Sequence, residues 1–369
     1  MSVRDENDPA PGRRYKAALL NEGFAVSPDG VTWTKLAVPL VPSSDEGNFS
    51  FSGKDELFIH TVTRTGPYGR SVAIATSTDF ENWQDFGVVF HADAQDQEIG
   101  REAIEGRLAD PTRQQTEYNT PDHYSVQIYN MGVFRYEGLY IGLPSMYHHT
   151  GKVPTDWNGF DKMRLSPYIR DCVCKYGDYT GFYNVQLVCS RDLQSWQRLG
   201  DRKPFIETSP FRGGAYDLQT IIGPSNAVVR NDELWFYYTG IKRYAFISAG
   251  EVPDYDDYHP DAGAICLAVL RRDGFMSLDA GEQTGTILTK PFTLNGASLF
   301  VNVDARHGEL GVEVLSLDGT ILATSAPIRG NQPTGPVRWR RGNIGEFLGR
   351  NVSLRFRPCN TRFYSYWFA

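Results

Sequence analysis

A short motif that ends in tryptophan occurs three times in the chain, and it constrains the fold more than any other feature. It reads Ser-Pro-Asp-Gly-Val-Thr-Trp at residues 27–33, it recurs at 77–83 and 190–196, and a shortened fourth copy without the tryptophan stands at 271–275. Each copy follows an apolar run that is typical of a β-strand. Self-similarity of this kind predicts a repeated architecture, with one small structural unit per repeat.

A second motif completes the same unit. Polar residues followed by leucine and an aromatic residue occur at 54–58, 136–140 and 231–235, between runs rich in β-branched and aromatic residues. This pattern predicts a β-hairpin. Four antiparallel strands per repeat form one blade of a β-propeller, and a β-sandwich with coincidentally similar turns is the alternative. In either fold we expect the aspartate of the tryptophan motif to cap its own turn and the tryptophan to pack between sheets.

The two motifs divide the chain into repeats and a different C-terminal region. The repeats are expected at about 14–36, 49–85, 125–198 and 220–278, with insertions at 148–180 and 242–261 and an acidic, polar linker at 91–121. The first repeat contains only its outer hairpin, so its two inner strands are missing. From about residue 285, alternating strands without the tryptophan motif predict a β-sandwich. The predicted fold is all-β, with a β-propeller in residues 1–284, a sandwich in residues 285–369 and almost no helix.

Composition excludes several classes of partner. Lys and Arg number 37 against 44 Asp and Glu, and the resulting formal charge of -7 argues against nucleic acid, whose phosphates require a basic surface. No apolar run approaches the length of a membrane span, so we expect no membrane partner. Residues 1–12 are polar and charged and do not form a signal peptide, which predicts a cytoplasmic protein unless a longer precursor is secreted. The five cysteines form no disulfide framework and are expected to be reduced.

Three aspartates are the candidate catalytic residues. In a propeller, the loop before each innermost strand lines one mouth of the central channel. Asp122 and Asp217 each stand 17 residues before the leucine of their hairpin motif, so they match in register. Asp45 stands 12 residues before its leucine and is equivalent only if its inner strand is shorter. Carboxylates around one channel can act as acid and base in glycosidic cleavage, because like charges held close separate their pKa values. The alternative is that these aspartates cap turns.

Residues suited to sugar binding are expected around the same mouth. Tyrosine rings stack on sugar faces, and Arg and His bind hydroxyl or carboxylate groups. The candidates are His123, Tyr124, Tyr147, His148, Arg64, Tyr238 and Arg243. Paired histidines in a loop can equally form a solvated surface, and the spacing of His148, His149 and Asp156 does not demand a metal. We therefore expect no cofactor, and a structural or axial divalent cation stays open.

The chain resembles the five-bladed propeller glycoside hydrolases, in particular the fructosidase- and arabinanase-like group in which a β-sandwich follows the propeller. It is more closely similar to uncharacterised bacterial proteins that are inferred, without assay, to be glycosyl hydrolases. The residues that carry the resemblance are 129–140, 190–196, 273–278, 289–291 and 354–356. The resemblance implies a five-bladed-type propeller and axial carboxylates, one of which comes from the inner strand of the first blade. This chain shows no such strand in its sequence.

One motif of that group is discounted. Asn7-Asp8-Pro9 matches the Asn-Asp-Pro of sucrose- and fructan-cleaving enzymes, in which the aspartate is the nucleophile. Here the preceding aromatic residue is absent, and the motif leads directly into an outer hairpin, which is the wrong part of a blade.

Three hypotheses for function follow. The first is a glycoside hydrolase that cleaves an oligo- or polysaccharide, with Asp122 and Asp217 as acid and base and Asp45 assisting. The second is a non-catalytic glycan-binding protein of the same fold. The third is a propeller that serves as a scaffold for a homo-oligomer, in which strand edges exposed by the incomplete blade pair with another subunit.

Overall fold

The computed structural model describes residues 1–162, 167–211, 213–243 and 262–369. The predicted insertion at 242–261 lies outside these residues apart from Lys242 and Arg243. The protein is mostly β, with curled antiparallel sheets that follow one another along the chain, as is consistent with a β-propeller-like fold. The count of five blades and the C-terminal sandwich stay predictions.

The first two sheets each contain four antiparallel strands in chain order. The first consists of β1 (Ser2–Arg4), β2 (Tyr15–Ala18), β3 (Phe24–Ser27) and β4 (Thr34–Lys35). The second consists of β5 (Gly47–Ser52), β6 (Leu57–Gly66), β7 (Gly69–Ser77) and β8 (Gln84–Phe90).

The prediction that the first repeat contains only an outer hairpin was wrong. The charged N-terminal segment supplies β1, which pairs with β2 in the register Ser2↔Ala17. The buried Lys16 ammonium holds this segment in place, because its Nζ binds Asp5 Oδ2 at 2.8 Å and Asp8 Oδ2 at 2.7 Å. A polar segment can therefore form a short strand without an apolar sequence pattern, since its buried charge is fully paired.

The third and fourth sheets are less regular. The third consists of β9 (Ser125–Tyr136), β10 (Leu139–Val153), β11 (Asp178–Val185), β12 (Val188–Ser190) and β13 (Trp196–Arg198). The fourth consists of β14 (Thr220–Ile222), β15 (Val228–Arg230), β16 (Glu233–Ile241) and β17 (Gly263–Arg271). In the third sheet, β11 and β12 both pair with β10 and act as one interrupted strand.

The tryptophan motif forms the turn that its sequence predicts. Asp29 Oδ1 accepts hydrogen bonds from the amides of Val31 and Thr32 at 2.9 and 2.8 Å, and these bonds lower the pKa of Asp29 to about 2. The same bonds recur at Asp79 and Asp192. These aspartates are therefore structural, as expected.

Two α-helices correct the expectation of almost no helix. The segment predicted as a linker contains α1 (Ala94–Ala109), and the first insertion contains α2 (Pro167–Tyr176). α1 begins with a capping box, in which the side chains of Asp93 and Asp96 each accept from the other residue's backbone amide. Among the described residues, six short 3-10 helices lie at Pro11–Arg13, Leu20–Glu22, Pro121–His123, Asn158–Lys162, Gly200–Arg202 and Ile344–Phe347. No helix within the described ranges is long and apolar enough to cross a membrane.

The chain divides into two compact units, one of residues 1–227 and 236–268 and the other of residues 228–235 and 269–369. The predicted boundary after residue 284 stays a prediction. The second unit contains a nine-stranded antiparallel sheet around a core that includes Val301, Val312, Leu354 and Phe356, all fully buried. Its strands are β18 (Leu278–Ala280), β19 (Ile287–Leu288), β20 (Phe292–Thr293), β21 (Leu299–Leu315), β22 (Ile321–Ser325), β23 (Ile328–Pro336), β24 (Trp339–Arg341), β25 (Asn351–Cys359) and β26 (Thr361–Phe368).

Candidate active site

The first strands of the second, third and fourth sheets come together in the first unit. The Ser225 hydroxyl, just after β14, donates to Asn48 on β5. Gly132 on β9 lies so close to the backbone after β14 that a Cβ there would come within 2.0 Å of the Pro224 carbonyl oxygen. Polar groups before these strands are therefore brought towards one region, as a propeller requires.

Asp217 is the most enclosed of the predicted carboxylates. It is 6% exposed and lies just before β14. Its Oδ2 accepts a hydrogen bond of 2.8 Å from the hydroxyl of Tyr238 on β16. Burial, together with this bond to a carboxylate, raises the pKa of Tyr238 well above its ordinary value. The tyrosine therefore stays protonated and donates to Asp217.

The loop that carries Asp217 folds over its own sheet because Gly240 leaves room for it. A Cβ on Gly240 would come within 2.9 Å of both the Cβ and the amide nitrogen of Asp217. The Ser209 amide donates to the Asp217 carbonyl at 2.9 Å, which closes the loop. The position of the Asp217 carboxylate thus depends on residue 240 of β16 being a glycine.

Helix α1 holds the same loop from the other side through Arg107. The guanidinium donates to the carbonyl of Leu218 at 2.6 Å, to the Thr208 hydroxyl at 2.8 Å and to the carbonyl of Gln114 at 3.0 Å. It also lies 4.4 Å from the ring centre of Phe182. Burial lowers the pKa of Arg107 to about 10, so it stays charged at neutral pH. Sequence reasoning missed this residue, although the Asp93 and Asp96 spacing of a capping box was a signal for the helix.

Asp45 lies just before β5 in a charged and aromatic cluster. Its Oδ2 is 2.5 Å from Arg70 Nη2, and the Arg70 guanidinium lies 5.1 Å from the ring centre of Tyr129. The Tyr129 hydroxyl donates to Glu46 Oε1 at 2.9 Å. Glu46 was not predicted, and its signal was its place beside Asp45 before the same strand. The cluster therefore contains two carboxylates, one paired with an arginine and one with a tyrosine.

A chain of contacts runs from Glu46 to the loop of Asp217. Tyr129 packs edge-on against Tyr183 with ring centres 5.0 Å apart. The Tyr183 amide donates to the carbonyl of Gln219 at 2.9 Å, two residues after Asp217. Gln219 also donates to the carbonyl of Gly181 at 2.9 Å. The starts of β5 and β14 are thus joined through β9 and β11.

Asp122 occupies a different environment. It is exposed, in the 3-10 helix Pro121–His123, beside α1. Arg101 on α1 donates to the Pro121 carbonyl at 3.3 Å and lies 5.6 Å from the ring centre of Tyr124. Farther along β9, the α1 side chain of Gln97 bonds both the amide and the carbonyl of Val126 at 2.8 and 2.9 Å. No contact within the described ranges joins Asp122 to Asp45 or Asp217.

Several of the predicted sugar-binding side chains make contacts within the protein. Tyr147 is 5% exposed, stacks on Tyr183 with ring centres 4.6 Å apart, and donates to the Thr180 carbonyl. Arg64 forms a two-nitrogen ion pair with Asp85 on β8. Tyr238 binds Asp217, as described above.

The remaining predicted side chains differ in exposure. His148 lies 4.6 Å from Phe182 in a stacked pair beneath α1, and burial lowers its pKa to about 4. His123 is exposed, Tyr124 is half-buried, and Arg243 is half-buried next to residues 244–261. The structure therefore places His148 in packing and leaves His123 open to solvent.

No metal centre is formed by the part of the chain that the structure describes, where no three His, Cys, Asp or Glu side chains are arranged to hold an ion. That part includes His148, His149 and Asp156. A cavity of about 420 Å³ in the first unit is lined by Asn7, Asp8 and Pro9. These residues lie in the connection between β1 and β2, where Asp8 is paired with Lys16.

No family model matches the chain, and no curated protein sequence matches it. Its structure is similar to solved glycosidase-like β-propeller structures. A Parabacteroides distasonis protein inferred to be a glycoside hydrolase is 18% identical with a TM-score of 0.35, over 71% of this chain and 65% of that one. The beta-1,2-mannobiose phosphorylase of Listeria innocua is 15% identical with a TM-score of 0.35, over 88% and 67%. The Bombyx mori beta-fructofuranosidase BmSUC1 is 10% identical with a TM-score of 0.36, over 98% and 74%.

This chain spans slightly less than two thirds of the first of these proteins. At such identities and TM-scores the similarities carry no argument about activity. Function must therefore be argued from the residues of this chain.

Proposed function

We propose that this protein is a carbohydrate-active enzyme that hydrolyses a glycosidic bond in an oligo- or polysaccharide. The proposal includes a five-bladed-type propeller and a C-terminal sandwich. The observation that carries it is the enclosed Asp217 carboxylate, which accepts a 2.8 Å hydrogen bond from Tyr238 and is held in place by α1. An enclosed, oriented carboxylate at the start of an inner strand is the kind of group that acid–base cleavage of a glycoside requires.

Hydrolysis needs a second carboxyl group, one to protonate the leaving oxygen and one to act on the opposite side of the sugar ring. Glu46 is our first candidate for this group, because a hydrogen bond from Tyr129 orients it and contacts through Tyr183 link it to the loop of Asp217. The catalytic roles predicted for Asp122 and Asp45 stay predictions. In Asp45 the carboxylate is already paired with Arg70, which suits an orienting role better than proton transfer.

The test is release of product from a panel of aryl-glycosides and polysaccharides. We expect Asp217→Asn and Glu46→Gln each to lower kcat by about a hundredfold to ten-thousandfold, the range for loss of a general acid or base. Tyr238→Phe should lower it less, because the carboxylate remains. The matched control is Asp318→Asn in the second unit, an exposed carboxylate in a turn. Product release that survives both Asp217→Asn and Glu46→Gln would remove these residues from the mechanism.

A non-catalytic glycan-binding protein is the second candidate, and the pairing of Asp45 with Arg70 favours it. Carboxylates held by an arginine and a tyrosine can accept hydrogen bonds from sugar hydroxyls without transferring a proton. Binding of a polysaccharide with no release from any substrate would select this function. Assembly with further copies of the chain stays a prediction, and light scattering measures it directly.

A further inference from the structure

Residues 269–369, which form most of the second unit, differ in charge from the rest of the chain. Residues 269–369 contain twelve Lys and Arg and eight Asp and Glu, whereas the whole chain contains 37 and 44. The C-terminal region is therefore positive within an acidic protein. A local excess of positive charge in a chain of negative net charge indicates an anionic partner.

Part of this charge lies on the outer surface of the nine-stranded sheet. Arg341 on β24 pairs with Thr324, Thr324 with Glu313, and Glu313 with Arg355 on β25. Directly paired residues in antiparallel strands point to the same face, so these four side chains form one row. With strands about 4.8 Å apart, the row spans about 14 Å. The alternate face, with Val312, Val314 and Leu354, is the buried core.

A register shift between β22 and β24 places a further arginine beside this row. Thr324 pairs with Arg341 and the next residue, Ser325, pairs with Trp339, so Arg340 is an extra residue between them. The Trp339 side chain packs against the core, and Arg338, Arg340 and Arg341 are exposed. A bulge of this kind lets consecutive side chains reach solvent together and is often used to redirect them.

Most of these arginines have no acidic partner. Arg338, Arg340, Arg341 and Arg357 are exposed, and the ion pairs found among the described residues include none of them. By contrast, Arg329 is paired with Glu309 and Arg355 with Glu313 in the same unit. Arg357 pairs across the sheet with Gly311, which has no side chain and leaves the surface beside it open.

We propose that the arginine face, defined as Arg338, Arg340, Arg341 and Arg357, binds an anionic polysaccharide. Guanidinium groups bind carboxylate and sulfate groups with paired, charge-assisted hydrogen bonds, and the four exposed guanidinium groups of this face can contact the repeated charges of an extended chain. The choice of a glycan over a nucleic acid rests on the proposed function, and duplex DNA is therefore one of the ligands tested below. In this view the second unit retains an acidic glycan that the first unit cleaves.

The experiment measures binding of the whole protein to immobilised polygalacturonic acid, dextran sulfate and neutral dextran. We expect binding to at least one of the two anionic polymers and none to dextran, with binding lost as salt is raised. The double substitution Arg340→Gln with Arg341→Gln should weaken the apparent Kd at least about tenfold. The control Arg191→Gln with Arg306→Gln changes the net charge equally and should leave the Kd within about twofold. Binding to only one anionic polymer would identify the anionic group.

The inference is overturned if neither anionic polymer binds, if both double substitutions have the same effect, or if duplex DNA binds as tightly as the glycans. Hydrolysis of small aryl-glycosides is measured on the same preparations, so that failure of the arginine face to bind can be told apart from failure of the proposed hydrolase activity. Hydrolysis without binding to an anionic polymer removes the arginine face alone. Binding without hydrolysis of any substrate supports the arginine face and counts against the enzyme.

Discussion

Asp122 and Asp217 occupy equivalent positions in two repeats, yet the structure gives them opposite surroundings. Each stands 17 residues before the leucine of its hairpin. Asp217 is 6% exposed, bound by Tyr238 and held through Arg107, whereas Asp122 is exposed in a 3-10 helix beside Arg101. Helix α1 contacts both loops, but its buried Arg107 holds the loop of Asp217 whereas its exposed Arg101 only borders that of Asp122. Sequence register therefore identifies equivalent positions in a repeat protein, but tertiary contacts decide which of them is enclosed.

The largest expected difference is in activity. We expect Asp217→Asn to lower kcat by about a thousandfold and Asp122→Asn by less than about tenfold, because only the first carboxylate is desolvated and oriented. Rates on the substrate found in the panel above measure both. Equal losses would show that the exposed aspartate is also catalytic and that the enclosure of Asp217 does not separate the two sites.

The two arginines of α1 should differ in stability. Arg107→Ala removes a buried cation with three hydrogen bonds and should lower the free energy of unfolding by about 3–5 kcal/mol. Arg101→Ala, on the same helix beside Asp122, should cost less than about 1 kcal/mol because it is exposed. Urea denaturation at pH 7 measures both. A small loss at Arg107 would mean that α1 does not hold the loop of Asp217.

Acid should loosen the packing under α1. The pKa of His148 is lowered to about 4 by burial, with the positive Arg107 adding to the effect, against an ordinary value near 6.5. The neutral form is favoured in the folded state, so its stability contribution is complete above pH 6.5 and is lost as the pH falls towards 4. By pH 5 the loss is about 2 kcal/mol.

The measurement is the urea midpoint between pH 7 and pH 5 for the wild type and for His148→Phe. Burial also lowers the pKa of His60 and of His149, and each contributes a loss of the same sign in both proteins. The difference between the two slopes therefore isolates His148. Parallel slopes for His148→Phe and the wild type would contradict the assignment.

The smallest expected effect concerns two glycines. Gly240→Ala would place a Cβ 2.9 Å from the Cβ of Asp217, and we expect a loss of about 1–3 kcal/mol with a lower kcat as the carboxylate shifts. Gly106→Ala in α1 meets nothing within 4 Å and should stabilise the protein by about 0.5–1 kcal/mol. Thermal unfolding and activity together distinguish the outcomes. Unchanged activity in Gly240→Ala would show that the loop position is not critical.

Much of the fold could be read from local patterns. The tryptophan motifs predicted the capped turns at Asp29, Asp79 and Asp192, because an aspartate side chain satisfies the amides that follow it whatever the rest of the chain does. The hairpin at 136–140 could also be predicted from its own few residues. Glu137 and Gly138 adopt the positive φ values of 42° and 95° that a tight two-residue turn requires. The strand β1 and the helix α1 were missed because buried ion pairs and a capping box stabilise segments that have no apolar periodicity.

The order of the chain's residues was enough to predict the second, third and fourth repeats, their turns and the aspartates that stand before their first strands, since each depends on neighbours only a few positions away. The enclosure of Asp217 and the contacts that link Glu46 to its loop through Tyr129 and Tyr183 were decided only by folding. Arg107 reaches Leu218 across 111 residues, and Tyr129 reaches Glu46 across 83. Contacts over such separations depend on how sheets pack against one another, and no short-range pattern in the sequence encodes them.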